Sequence, residues 1–126
     1  MKKSGLNADQ TMSGYPQAVK VSGATDLLFI SGQIPVAADG HVPVDFPAQA
    51  KLAWANVMAQ LTSAGMSVEN LAKVTIFLSD RKHAIENRQA RKAALGDQDR
   101  SVALTVIITG IFDSAWLLEI EAVAAR

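Results

Sequence analysis

Leu71-Ala72-Lys73-Val74-Thr75-Ile76-Phe77-Leu78 is an eight-residue run rich in β-branched and aromatic residues, and it reads as a strand. What flanks it decides the fold. Upstream, Asp45 to Gly65 predicts a long helix. Asp45 can cap it, Pro47 is tolerated in the first turn, and Gly65 is a natural stop. Ala50, Trp54, Val57, Leu61 and Ala64 repeat at helical spacing as one apolar stripe, with Gln49, Asn56, Gln60 and Ser63 expected on the opposite side. Downstream, Asp80 can cap a second helix running from Arg81 to Leu95 and ending at Gly96.

Working outward, Ala18 to Val21 and Asp26 to Ile34 read as two strands, and the turn residues between them suggest a hairpin. Val102 to Ile108 is apolar on both faces, which predicts a strand central in its sheet. Trp116 to Ala124 is the last strand. The fold class that follows is α+β: a single mixed sheet with two helices packed on one face. No third layer remains to cover the other face, so a second subunit is the expected cover. Residues 1–126 are expected to form one domain, with 1–13 a flexible lead-in.

At 126 residues the chain has room for one core. Twelve Lys plus Arg balance twelve Asp plus Glu, and a formal charge of zero argues against a protein built to hold a polyanion. The absence of cysteine removes disulfides, thiolate catalysis and Cys-containing zinc sites. No targeting signal is visible and the longest apolar run is too short for a bilayer, so a cytoplasmic protein with no membrane partner is expected. There is no glycine-rich phosphate loop and no metal-spaced histidine pair, so no cofactor or metal is expected.

Some polar residues invite chemistry. His41 and His83 are isolated and read as solvated. Arg81, Lys82, Arg88, Arg91 and Lys92 read as a solvated helix face, since no aromatic residue on that helix could stack a base. Arg100 precedes the strand Val102 to Ile108. A planar guanidinium there suits bidentate capture of a carboxylate, or it pairs with Asp97 or Asp99; the two readings stay open. Alternation puts Leu118, Ile120 and Ala122 on one strand face and Glu119, Glu121 and Val123 on the other. Two carboxylates among apolar residues mean either a solvated face or a glutamate held for a purpose.

Several segments in order resemble the YjgF/RidA family. They are Gly14-Tyr15-Pro16-Gln17-Ala18-Val19, Phe29-Ile30-Ser31-Gly32-Gln33-Ile34, Asn56-Val57 with Leu61 and Gly65, and Val74 to Asp80. Asn87, Arg100-Ser101-Val102 and Leu118-Glu119-Ile120-Glu121-Ala122-Val123-Ala124 complete the set. The resemblance implies a chorismate-mutase-like protomer and a homotrimer with a barrel-like core and a site at each subunit interface. It further implies a cofactor-free deaminase that hydrolyses reactive enamine/imine acids, 2-imino acids such as 2-iminobutanoate and 2-iminopropanoate, to 2-keto acids and ammonia. Arg100 would be the substrate-carboxylate arginine and Glu119 the acid–base group. Tyr15, Ser31, Gly32 and Asn87 would be substrate-binding positions. An aminomuconate-type acid is a larger candidate substrate.

Some positions depart from the family pattern. Asp97-Gln98-Asp99 stands where many members have a proline and a small residue, in a shorter loop. Val102 stands where cysteine is common, and Ala90 where an aromatic residue is common. A non-catalytic, chaperone-like carboxylate-binding module at the same cleft is the competing reading. An RNA-directed translation inhibitor, a role described for some members, ranks third because the chain has zero net charge and no stacking residues.

Overall fold

The computed structural model describes residues 1–10 and 14–126. Its elements in chain order are β1 (Lys2–Leu6), β2 (Ala18–Ser22), β3 (Leu27–Gln33), α1 (Phe46–Ser63), β4 (Leu71–Leu78), α2 (Ala84–Leu95), β5 (Ala103–Ile108) and β6 (Leu118–Ala125). The fold is α+β, with both helices on one face of a four-stranded mixed sheet of order β3-β6-β4-β5. β4 and β5 run parallel, joined by α2, while β6 lies antiparallel between β3 and β4.

Local chemistry sets the element ends. The Asp45 carboxylate accepts from Ala48 N at 2.8 Å and caps α1. Asp80 accepts from Lys82 N at 2.9 Å and starts a single 3-10 turn that leads into α2. Gly96 ends α2 at a φ of 54°, a conformation that favours glycine. The α1 stripe packs on the sheet: Ala50, Trp54, Val57 and Leu61 are buried with Val74, Ile76, Leu78, Leu118, Ile120 and Ala122. Alternation in β6 follows the sequence pattern, with Glu119, Glu121 and Val123 on the face away from the helices.

Five sequence expectations need correction. The hairpin between the second and third strands does not form: β2 pairs with β1, and β3 pairs with β6. The lead-in is not all flexible, because Lys2–Leu6 is a strand secured by Lys3; Nζ donates to Glu69 O at 2.8 Å and Leu71 O at 2.7 Å. Residues 11–13 of that lead-in lie outside the described residues. The strand after Arg100 is an edge strand rather than a central one, since among the described residues β5 pairs only with β4. Val106, Ile107 and Ile108 are accordingly 37–40% exposed. Gln49 is buried rather than on the polar side of α1; its amide donates to Pro43 O and Ala115 O and accepts from Leu117 N, fastening the helix to the loop before β6. His83 is buried as well, stacked on Phe46 with ring centroids 4.6 Å apart.

The sheet face away from the helices is bare in the protomer. Phe29 is 73% exposed and Leu27 62% exposed there, beside Thr75, Phe77, Glu119 and Glu121. Two large apolar side chains thus stand in water beside charged and polar ones on that face.

Candidate functional site

The structure sorts the sequence-predicted site residues into two clusters. Ser31, Gly32 and Glu119 form the first. Ser31 is exposed on β3, and Gly32 lies at the irregularity where the β3–β6 register shifts between Ile30 and Gln33. A Cβ placed on Gly32 would overlap the Glu119 carboxylate and come within 2.7 Å of Cδ. Glycine is what lets Glu119 lie flat against the β3 backbone. Glu119 is half-buried on the bare face.

Nearby, Phe29, Ser31, Lys73, Thr75, Glu121 and Val123 line a hollow of about 310 Å³. Lys73 Nζ donates to Thr105 Oγ1 at 2.5 Å. Burial lowers the Lys73 pKa from its usual value, opposed by the nearby Glu121 carboxylate. Sequence reading had not singled out Lys73; its place at the third position of β4, in phase with Thr75 and Phe77, is the signal that puts it on this face.

Tyr15 and Asn87 belong to the second cluster, at the β5 edge, and Arg100 adjoins it through its contact with Gly14, the neighbour of Tyr15. Tyr15 and Asn87 line a cleft of about 470 Å³ with Arg88, Arg91, Leu104 and Ile108. Asn87 is 3% exposed, and its Oδ1 has no partner among the described residues. The Arg100 guanidinium lies against Gly14: a Cβ there would meet Nη1 at 3.2 Å. Arg100 is exposed, and no carboxylate among the described residues is within ion-pair distance of it. The pairing with Asp97 or Asp99 considered from the sequence does not form. Asp99 bonds instead to Arg91, Oδ1 to Nε at 2.8 Å.

Arg91, like Gln49 and His83, was expected at the surface and is buried. It is 4% exposed, not part of a solvated face, and its Nη2 has no partner among the described residues. The signal was available: Asn87, Arg91 and Leu95 recur at a spacing of four and share one face of α2. Val102, at the position where the family often has cysteine, is fully buried.

The two clusters do not meet within one protomer. Glu119 on β6 and Ser31 on β3 lie two and three strands in from β5, or about 10 and 14 Å across the sheet. One cluster can supply a guanidinium to an anion; the other can supply a carboxylate to water or a proton.

A four-stranded mixed sheet with both helices on one face places the chain among small α+β proteins. The chain belongs to the YjgF/RidA family, whose model, described as Endoribonuclease L-PSP, matches residues 6–126. It is 37% identical over 75 residues to the 2-iminobutanoate/2-iminopropanoate deaminase of Escherichia coli K12, a match covering 59% of this chain and 56% of that protein. It is 34% identical to mmf2, mitochondrial, of Schizosaccharomyces pombe, over the full length of both. Among solved structures, E. coli TdcF with bound serine matches at a TM-score of 0.73 and 31% identity, covering 89% of this chain and 87% of that one. The chain spans about half the length of several of the curated relatives it matches. Several of those relatives are named as deaminases. No helix among the described residues is long and apolar enough to cross a membrane.

Proposed function

We propose that the protein hydrolyses small 2-imino acids to 2-keto acids and ammonia without a cofactor, at a cleft where the arginine cluster of one subunit meets the glutamate cluster of the next. The observation that carries this reading is the Glu119 carboxylate seated on the Gly32 backbone at the bare sheet face. A carboxylate built into an apolar contact surface is costly unless the assembled site uses it. The bare apolar face and the separation of the clusters both favour a homotrimer with inter-subunit sites, as the family resemblance implies.

The chemistry is simple. Arg100 holds the substrate carboxylate in a two-point grip and fixes the carbon–nitrogen double bond in the cleft. Tyr15 and Asn87 line the neighbouring cleft at the β5 edge. Glu119 orients a water, takes its proton as oxygen bonds to the imine carbon, and passes that proton to the nitrogen, giving a carbinolamine. Glu119 then takes the carbinolamine hydroxyl proton and delivers it to the nitrogen. The carbon–oxygen double bond forms as the carbon–nitrogen bond breaks, and the 2-keto acid and ammonia leave. Imines of this kind already hydrolyse in water, so modest assistance suffices.

The test is a coupled assay with a chelator present. An amino-acid oxidase generates the imine while a scavenger competes for it, and keto-acid release is followed. Acceleration by the protein that is lost in Glu119→Gln is expected. Tight binding of 2-ketobutyrate with no acceleration would favour the non-catalytic carboxylate binder.

A further inference from the structure

The turn that carries Arg100 is Gly96-Asp97-Gln98-Asp99-Arg100-Ser101, a six-residue 3-10 stretch without proline. Runs of 3-10 geometry beyond three or four residues are uncommon, because their hydrogen bonds are poorly aligned. This one is held from outside on two sides. From α2, Arg91 Nε donates to Asp99 Oδ1 at 2.8 Å, with side chains only 5% and 11% exposed. From β1, Lys3 Nζ donates to Gln98 Oε1 at 3.2 Å while also gripping Glu69 O and Leu71 O. The turn is thereby tied to the start of β4. β1 also packs on the arginine itself: a Cβ on Gly5 would meet Arg100 O at 2.9 Å.

We propose that Arg91, Asp99 and Lys3 are positioning residues for Arg100: they fix the turn so that its guanidinium projects over Gly14, uncompensated and correctly aimed for a carboxylate. The inference rests on the reading of Arg100 as the substrate-carboxylate anchor. Two arguments separate it from plain stabilisation. A buried Arg–Asp pair adds little net stability, since desolvation offsets most of the attraction, so stability alone is a weak reason for it. Moreover, Asp99 adjoins Arg100 in sequence and is a natural competitor for its guanidinium. Arg91 engages that carboxylate and leaves Arg100 available to a ligand. In a turn without proline, side-chain tethers supply the rigidity that a fixed φ would give.

Calorimetry with 2-ketobutyrate and the coupled imine assay test the proposal on the full chain. Asp99→Asn is expected to raise the 2-ketobutyrate Kd and the KM about tenfold, and Gln98→Ala or Lys3→Met about threefold, with kcat changed less than about twofold. Asp99→Glu, which keeps the charge, is expected to recover part of the binding. In an Arg100→Ala background none of these changes has a further effect. Should Asp99→Asn fail to fold, Gln98→Ala and Lys3→Met decide the matter. Parental 2-ketobutyrate binding in Gln98→Ala and Lys3→Met, while Arg100→Ala has lost it, overturns the tether and leaves the anchor standing. Parental binding in Arg100→Ala overturns both.

Discussion

Gly32→Ala isolates the contact on which the glutamate's role depends. Gly32 has no positive φ, so an alanine meets no backbone strain there. The added methyl would sit 2.7 Å from Glu119 Cδ and 3.1 Å from Cγ. Carbon atoms rest comfortably at about 3.5–4.0 Å, so the carboxylate must withdraw by about 1 Å. The obstructing atoms end a flexible side chain, and a rotamer adjustment costs only about 0.5–1.5 kcal/mol. Folding should therefore survive with a small drop in Tm. Catalysis should not, because a reacting group displaced by about 1 Å can lose about a hundredfold in rate.

The assay is imine turnover by keto-acid release, with Tm and oligomer mass measured on the same samples. A double-mutant cycle completes it. If Gly32→Ala acts through Glu119, it adds nothing in a Glu119→Ala background. Parental turnover in a folded Gly32→Ala protein, or full additivity in the cycle, would refute the reasoning.

Other expectations bear on assembly, role and pH. Light scattering should give a trimer mass, and Phe29→Asp should shift it toward monomer, since an exposed Phe buried at a contact contributes about 1.5–3 kcal/mol; an unchanged mass would place the contact elsewhere. Arg100→Lys keeps the charge but loses the planar fork and should weaken 2-ketobutyrate binding about tenfold, while Glu119→Gln should lower kcat about a hundredfold or more and still bind it. Burial holds the Lys3 pKa below 10.5, so the unfolded chain keeps its proton more firmly than the folded one. Stability should therefore rise as pH climbs from the folded value toward 10.5, and the rise should shrink in Lys3→Met; denaturant midpoints at about pH 8 and about pH 10 check the sign.

Much of this was legible in the sequence, where one local rule was enough. The α1 stripe, the Asp45 and Asp80 caps, the Gly96 stop and the β6 alternation each depend on residues within a turn or two, and each appears in place. Pairing was less legible. Alternation and turn residues cannot say whether β2 folds back on β3 or reaches β1, and the decisive bonds come from Lys3 to backbone oxygens 66 and 68 residues away. The burial of Arg91 and Gln49 escaped for a related reason. Polarity predicts exposure only when no distant partner exists, and their partners, Asp99 for one and Pro43, Ala115 and Leu117 for the other, are supplied by the fold.

The edge position of β5 is the most instructive departure. Val102 to Ile108 is apolar on both faces, which by itself argues for burial on both faces. In the protomer only the first of these residues is fully buried, and the end of the strand is open. Apolar patterning reports which surfaces avoid water in the finished object; it does not report which chain covers them. The same holds for Phe29 and Leu27 on β3, at the other edge of the sheet. Both edges thus carry apolar residues without the neighbours of an interior, while the face between them mixes Phe77 with Lys73, Thr75, Glu119 and Glu121. The arginine cluster lies at the β5 edge and Glu119 lies on the face itself. A second copy of the chain laid across it would bury the apolar residues and bring the two charges toward one cleft in the same step. On that account assembly and activity depend on the same residues. A Phe29→Asp monomer that still hydrolysed imines at the parental rate would contradict it.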